Sequence, residues 1–149
     1  GDLGEPSGRG RCKPEQVQRY RNKLPGPLMD RIDLHRTVAR ETTALNPAQQ
    51  AGDNTATASA EVAEARGRQL RRQGCANAFL DLPGLRKHCT LAKVDEGWLE
   101  TACERLTLSL RAAHRLLKVA RTLADLEQVN DITREHLKEA LQYRPASIT

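Results

Sequence analysis

Between Ser109 and Leu126 the chain carries an apolar stripe at helical spacing: Leu110, Ala113, Leu116, Leu117, Ala120, Leu123, Ala124 and Leu126. Nothing else in the sequence restricts the fold as much. The stripe predicts a helix over about 110–127, the longest in the chain, with Ser109 as its N-cap. It is wider than a two-helix seam needs, so this helix must pack against more than one neighbour. Shorter stripes flank it. Ser59 stands where a cap would open a helix running to about Gln73 and stopped by Gly74, with Val62, Ala65, Gln69 and Leu70 inward and Arg66, Arg68, Arg71 and Arg72 mostly outward. Asn77–Leu82 reads as a short helical turn ended by Pro83-Gly84. Asp95 reads as the cap of a helix that buries Trp98, Leu99, Ala102, Cys103 and Leu106. Asp131 or Thr133 caps the last helix, which turns Leu137, Ala140 and Leu141 inward and stops before Pro145. The spacing therefore predicts a bundle of about four helices with short connections.

The remainder is less regular. Gly1–Gly10 has no periodicity. Pro14 suits a first helical position, and Val17, Tyr20 and Leu24 share a face before Pro25-Gly26-Pro27 ends the helix. Ile32, Leu34 and Val38 alternate, which predicts a short strand at 32–38. Residues 41–56 are rich in Ala, Thr, Asn and Gln without apolar periodicity, and read as a linker between a segment 1–40 and a domain 57–149. Aromatic residues make up only 3%, too few for a sandwich or barrel. No run approaches the length of a membrane span. The only Met is Met29, so the chain reads as a piece of a longer protein.

Charge and chemistry narrow the function classes. The net charge is +5, arranged as two basic segments around an acidic stretch at 41–64. That pattern suits nucleic-acid or nucleotide partners, and equally a solvated Arg-rich surface. Cys12, Cys75, Cys89 and Cys103 form no C-x-x-C pair and read as reduced thiols of a cytoplasmic protein, with no metal site. The sequence holds no phosphate loop of the G-x-x-x-x-G-K-[ST] type and no catalytic triad pattern, and its four histidines are scattered. The chain alone is not expected to be an enzyme.

Two segments are more specific. One is Gly26-Pro27-Leu28-Met29-Asp30-Arg31-Ile32-Asp33-Leu34. The other runs from Ser109-Leu110-Arg111 through Arg115-Leu116-Leu117-Lys118-Val119-Ala120-Arg121 to Ala124-Asp125-Leu126. Ala65-Arg66, Gln69, Arg72 and Asn77 fall between them, and His136-Leu137, Glu139-Ala140-Leu141 and Tyr143-Arg144 follow. Together and in this order they resemble the ComM/YifB group of magnesium-chelatase-like AAA+ ATPases, over nearly the whole chain except 42–57.

The resemblance implies a mainly α fold: a remnant helix and strand from the end of an αβα ATPase core, then the AAA+ C-terminal helical lid. The phosphate loop and the Mg²⁺-binding acids would lie upstream. It implies a parent protein that binds ATP and Mg²⁺, works as a homo-oligomeric ring, commonly a hexamer, and acts on DNA as a helicase in branch migration, recombination or competence. This piece alone would carry neither bound nucleotide nor activity. Arg31, in the D-R-I-D element, would be the catalytic arginine finger; alternatively it pairs with Asp30 or Asp33. Arg111 would be the sensor-2 cation that reads nucleotide in its own subunit. Arg115, Lys118 and Arg121 continue a basic stripe that would meet DNA or a neighbouring subunit, or simply face solvent. An Arg121–Asp125 pair at i,i+4 is a further possibility. The family often has a four-thiolate site near Cys12, but Gly10 stands where one cysteine is expected. Two other functions stay open: a chelatase motor subunit that drives Mg²⁺ insertion into a porphyrin, and a stand-alone basic helical module that binds DNA or a protein.

Overall fold

The computed structural model describes residues 12–23, 31–36, 38 and 54–144. The chain divides into two compact units, Gly1–Gly52 with Pro145–Thr149, and Asp53–Arg144.

In the first unit, helix α1 is Pro14–Arg21. Proline fits its opening turn because that turn needs no amide donor. The Gln16 side chain folds back to accept the Lys13 backbone N–H at 2.9 Å. The helix closes sooner than expected, with Asn22 N–H on the Gln18 carbonyl. Val17 is half-buried, whereas Tyr20 is exposed beneath the Lys23 ammonium; Leu24, the third residue of the expected inward face, lies outside the described residues. The strand expected at 32–38 is not found among the described residues. Residues 32–36 and 38 carry no regular structure, and Ile32, Leu34 and Val38 are exposed. Three alternating apolar residues license a strand, but only a partner's hydrogen bonds make one.

The second unit is built from α2 (Thr55–Gln73), a 3-10 turn (Asn77–Phe79), α3 (Leu82–His88), α4 (Lys93–Arg105), α5 (Leu110–Leu126) and α6 (Arg134–Gln142). That is five α-helices, where about four were expected. The extra one, α3, comes from Pro83-Gly84. We read this pair as a stop, but proline at the second helical position is compatible with a start, and the Asp81 carboxylate caps it by accepting Gly84 N–H at 2.8 Å. Helix α2 begins earlier than Ser59. Asn54 is its cap, accepting Thr57 N–H at 2.8 Å, so the last residues assigned to the linker are helical. The extra turn makes α2, at 19 residues, longer than α5 at 17. Helix α4 starts after Ala92, which leaves Asp95 in its first turn, where a carboxylate offsets the positive helix end, and not at the cap.

Helix α5 has the limits and the Ser109 cap that its stripe implied, the Ser109 hydroxyl accepting Ala112 N–H at 3.2 Å. It packs on α6, α2, the 3-10 turn and α3, which is what a stripe of that width requires. Leu116 and Ala120 lie in the core with Leu80, Leu85, Cys89, Leu99, Ile132, Leu137 and Ala140. The two ends of the stripe, Leu110 and Leu126, are exposed, as are Leu106 of the α4 stripe and Val62 and Leu70 of α2. The α2 face turned inward carries Ala65 and Gln69 instead.

Besides Gly74, at φ +75° after α2, two helix ends place a non-glycine residue in the left-handed region. After α4, Thr107 has φ +50° and the Leu108 N–H returns to the Cys103 carbonyl at 2.9 Å. After α5, Gln128 has φ +62° and Val129 N–H returns to the Ala124 carbonyl at 2.9 Å. Both are Schellman-type closures without the usual glycine. Helix α6 is capped by Thr133, not Asp131. His136 takes the place of the usual Glu or Gln in its capping box: Nδ1 accepts Thr133 N–H at 2.9 Å, and Nε2 lies 3.0 Å from Glu127 Oε2. Because Nδ1 is an acceptor here, the ring proton sits on Nε2 and is donated to Glu127.

Candidate functional site

Helix α5 positions four of the five cations singled out above. Arg111 follows the cap by two residues and is exposed. The first turn of α5 holds no acidic residue, so the positive end of the helix and this guanidinium lie together without an acid on that turn. Arg115, one turn later, is half-buried. Lys118 is spent locally, its ammonium donating to the Ala78 carbonyl at 3.0 Å.

Arg121 corrects the surface-stripe reading. Its side chain is only 3% exposed and donates to the Val129 carbonyl at 2.8 Å and to that of Asn130. At about 100° per residue, ten residues bring the helix face round by about 80° from Arg111, so Arg121 points into the bundle. It is not part of an exposed stripe. Arg31 lies in the other unit, exposed, at the turn before the irregular stretch 32–36.

The Arg121–Asp125 pair weighed in the sequence is present, at 3.3 Å, but sequence reasoning missed the buried polar network to which it belongs. Asp125, 1% exposed, lies between two arginines. Arg72 reaches it from α2 with both terminal nitrogens, one at 2.9 Å to Oδ2, and Arg121 NH2 lies 3.3 Å from Oδ1. Asn77, 1% exposed, completes the cluster. Its Nδ2 donates to Asp125 Oδ2 at 2.8 Å and Thr122 Oγ1 at 3.0 Å, and its Oδ1 accepts from Arg72 and from Gln73, each at 2.9 Å. Its backbone N–H donates to Gln69 Oε1 at 3.0 Å. The amide therefore uses both donors and both lone pairs, the full capacity of an asparagine. Arg72, read as outward, belongs to this interior.

The electrostatics follow from burial and pairing. Burial alone would raise the Asp125 carboxyl, but the hydrogen bonds from Arg72 and Asn77 and the charge of Arg121 outweigh it and hold the group below its ordinary value. The hydrogen bond to Asp125 raises Arg72, and burial lowers Arg121. Burial also pushes the Cys89 thiol up to about 11, which leaves it unreactive. All four cysteines are free, and among the described residues no His, Cys, Asp or Glu cluster is placed to hold a metal ion. None of the described helices is long and apolar enough to cross a membrane.

Beside the start of α5 lies a half-open apolar groove of about 530 Å³, floored by Leu85, Leu99 and Leu117 and edged by Leu110, Glu96 and Arg86. Arg111 therefore stands next to a surface able to take an apolar contact.

The residues that carried the family resemblance are largely this framework: Gln69, Arg72, Asn77, Arg121 and Asp125 in one network, His136 as a capping residue, and Tyr143 donating to Glu139 at 3.0 Å. Comparison with known proteins agrees. The family model described as magnesium chelatase, subunit ChlI C-terminal, matches residues 52–144, and that described as magnesium chelatase, subunit ChlI, matches residues 1–46. YifB of Escherichia coli, itself described as uncharacterized, is 47% identical over 90% of this chain and 27% of its own length. The competence protein ComM of Haemophilus influenzae is 40% identical over 90% of this chain and 26% of its own length. An uncharacterized protein of Mycobacterium tuberculosis is 33% identical over 89% of the chain. The chain spans about a quarter of the length of these curated relatives.

Proposed function

We propose a function for this chain from one premise: it belongs to the magnesium chelatase ChlI family. It is the C-terminal part of an AAA+ ATPase that works as a ring, with ATP and Mg²⁺ held between subunits. Arg31 enters the neighbour's nucleotide site as the arginine finger, and Arg111 reads the nucleotide of its own subunit through the lid. The chemistry asks for arginine at both places. A permanently charged fork with several donors can neutralise the charge that develops on the γ-phosphoryl oxygens.

Arg111 carries this reading. Two of the three cations that follow it on α5 have tasks inside the bundle, Lys118 on a carbonyl and Arg121 in the core. Arg111 alone stands exposed in a helical turn with no acid, where the helix dipole disfavours a cation. A bound phosphate would convert that small cost into a gain. The bundle behind it is fixed by the Asp125 network, so α5 can transmit lid movement as a rigid rod. The groove edged by Leu110 supports a lid that seats apolar surface beside the nucleotide.

Acting on DNA, in branch migration, recombination or competence, is the work we assign to the ring. Its support is the basic charge and the identity shared with a relative named as a competence protein. The family description favours one second reading, a motor that drives Mg²⁺ insertion into a porphyrin. ATP turnover stimulated by DNA and not by porphyrin separates the two.

The residue roles are tested in the full-length protein. Arg31→Ala should lower ATP turnover by about 10³-fold or more, with ATP affinity nearly unchanged. Lost ATP binding with normal turnover per bound nucleotide would remove the finger role.

A further inference from the structure

The 3-10 turn Asn77–Phe79 is anchored far more firmly than a three-residue turn requires. Asn77 is locked by five hydrogen bonds, the Ala78 carbonyl accepts from the Lys118 ammonium at 3.0 Å, and Leu80 is buried in the core. Between these anchors Phe79, the only phenylalanine in the chain, is 77% exposed. An exposed phenyl forgoes the stabilisation of burial, and the turn itself would accept any polar side chain at that place. A rigid backbone that holds an aromatic ring out in water is the arrangement of a recognition residue.

The surroundings of the ring point to its occupant. From 65 to 92 the chain carries Arg66, Arg68, Arg71, Arg72, Arg86 and Lys87 against Asp81 alone, and the Asp81 carboxylate is engaged in capping α3. Arg68 and Arg71 are taken up by Glu64, and Arg72 by Asp125. Lys118 is taken up by the Ala78 carbonyl, whereas Arg86 and Lys87 close the short helix that follows the turn and are exposed. A π-face on a segment, 77–92, whose uncommitted exposed side-chain charges are Arg86 and Lys87 matches the base and phosphate of a single strand, because every base has a face to stack and every link a charge. The core of a protein interface is instead depleted of charge.

We propose that Phe79 is a base-stacking residue for single-stranded nucleic acid, with Arg86 and Lys87 as phosphate contacts. This rests on the nucleic-acid reading above, and the experiment keeps the two apart. Binding of a labelled thirty-nucleotide oligo-dT to the 149-residue chain is followed by fluorescence anisotropy at several salt concentrations, for the wild type, F79A, F79W and the double variant R86Q/K87Q. One stacked base is worth about 1–3 kcal/mol, so F79A should weaken binding about 5- to 150-fold with its salt slope unchanged. F79W should restore affinity, and R86Q/K87Q should flatten the salt slope. The ring is exposed, so F79A should melt with the wild type.

Binding by the wild type that F79A leaves within twofold overturns the stacking site while the nucleic-acid reading survives. A wild type that does not bind oligo-dT overturns both. A change in self-association of F79A with unaltered oligo-dT binding makes the ring a protein contact and also overturns the proposal.

Discussion

Replacing Asp125 by alanine removes the carboxylate to which Arg72 and Arg121 are both tied. Arg121 is left in the core with only the carbonyls of Val129 and Asn130, and Asn77 loses the partner of one of its two amide donors. Deleting one side of a buried ion pair costs about 3–5 kcal/mol, because the surviving charge stays buried without compensation. The Arg72 side chain is 26% exposed and can turn to water, which places the expected loss toward the lower end. A unit of about 90 residues has roughly 5–14 kcal/mol to lose, and each kcal/mol moves its midpoint by about 4–8 °C. Urea and thermal melts followed by circular dichroism should therefore show the variant's midpoint at least about 12 °C lower, with an unchanged helical spectrum when cold. Combining Asp125→Ala with Asn77→Ala should cost less than the two singly, by about 0.5–3 kcal/mol, since they share one network.

The pH dependence has a definite sign. Asp125 is held below its unfolded value, so its contribution is complete above about pH 4 and is lost as pH falls through the folded value. Wild-type stability should fall steeply on acidification below about pH 4, and Asp125→Ala should be flatter there. A loss below about 1 kcal/mol, with the same acid limb as wild type, would refute the account of this network, since an ordinary surface change costs no more than about 0.5 kcal/mol.

Leu137 is fully buried at the centre of the core, and Leu137→Ala should cost about 2–5 kcal/mol in the same melts. Thr107, a β-branched residue at φ +50°, should gain about 1 kcal/mol on replacement by glycine; a loss would mean its side chain makes a contact worth more than the strain. His136→Ala removes the side-chain half of the α6 cap and should cost about 1 kcal/mol plus the packing of a side chain 2% exposed, measured by hydrogen exchange across α6. In the full-length protein Arg111→Ala should weaken ATP binding about tenfold or more, the worth of a hydrogen bond to a charged group, and an unchanged affinity would remove its nucleotide role.

What could be read from the chain alone follows from how local each determinant is. The stop at Gly74, the Ser109 cap and the limits of α5 and α6 depend on neighbours within one turn, and they match the structure. Helix α3 was missed for an equally local reason, since Pro-Gly opens a helix as readily as it ends one when an aspartate precedes it. The polar network was hidden because charged residues are ordinarily assigned to the surface. Arg72 meets Asp125 across 53 positions, which no periodicity connects. The i,i+4 spacing of Arg121 and Asp125 made one edge of the network legible, and Asp125 also interrupts the stripe between Ala124 and Leu126, where an acid has to find a buried cation. The role of Arg31 rests on resemblance alone, because its geometry in the chain is that of an exposed turn residue.

The central claim is that this chain completes a neighbour's ATP site, and mixing subunits tests it most directly. Full-length Arg31→Ala and a full-length phosphate-loop variant should each be inactive as ATPases. In a mixed ring, an intact phosphate loop from the first can face an intact Arg31 from the second. The account predicts that equimolar mixing restores ATP turnover, rising with the proportion of such interfaces. Rings shown to exchange subunits that stay inactive on mixing would contradict it.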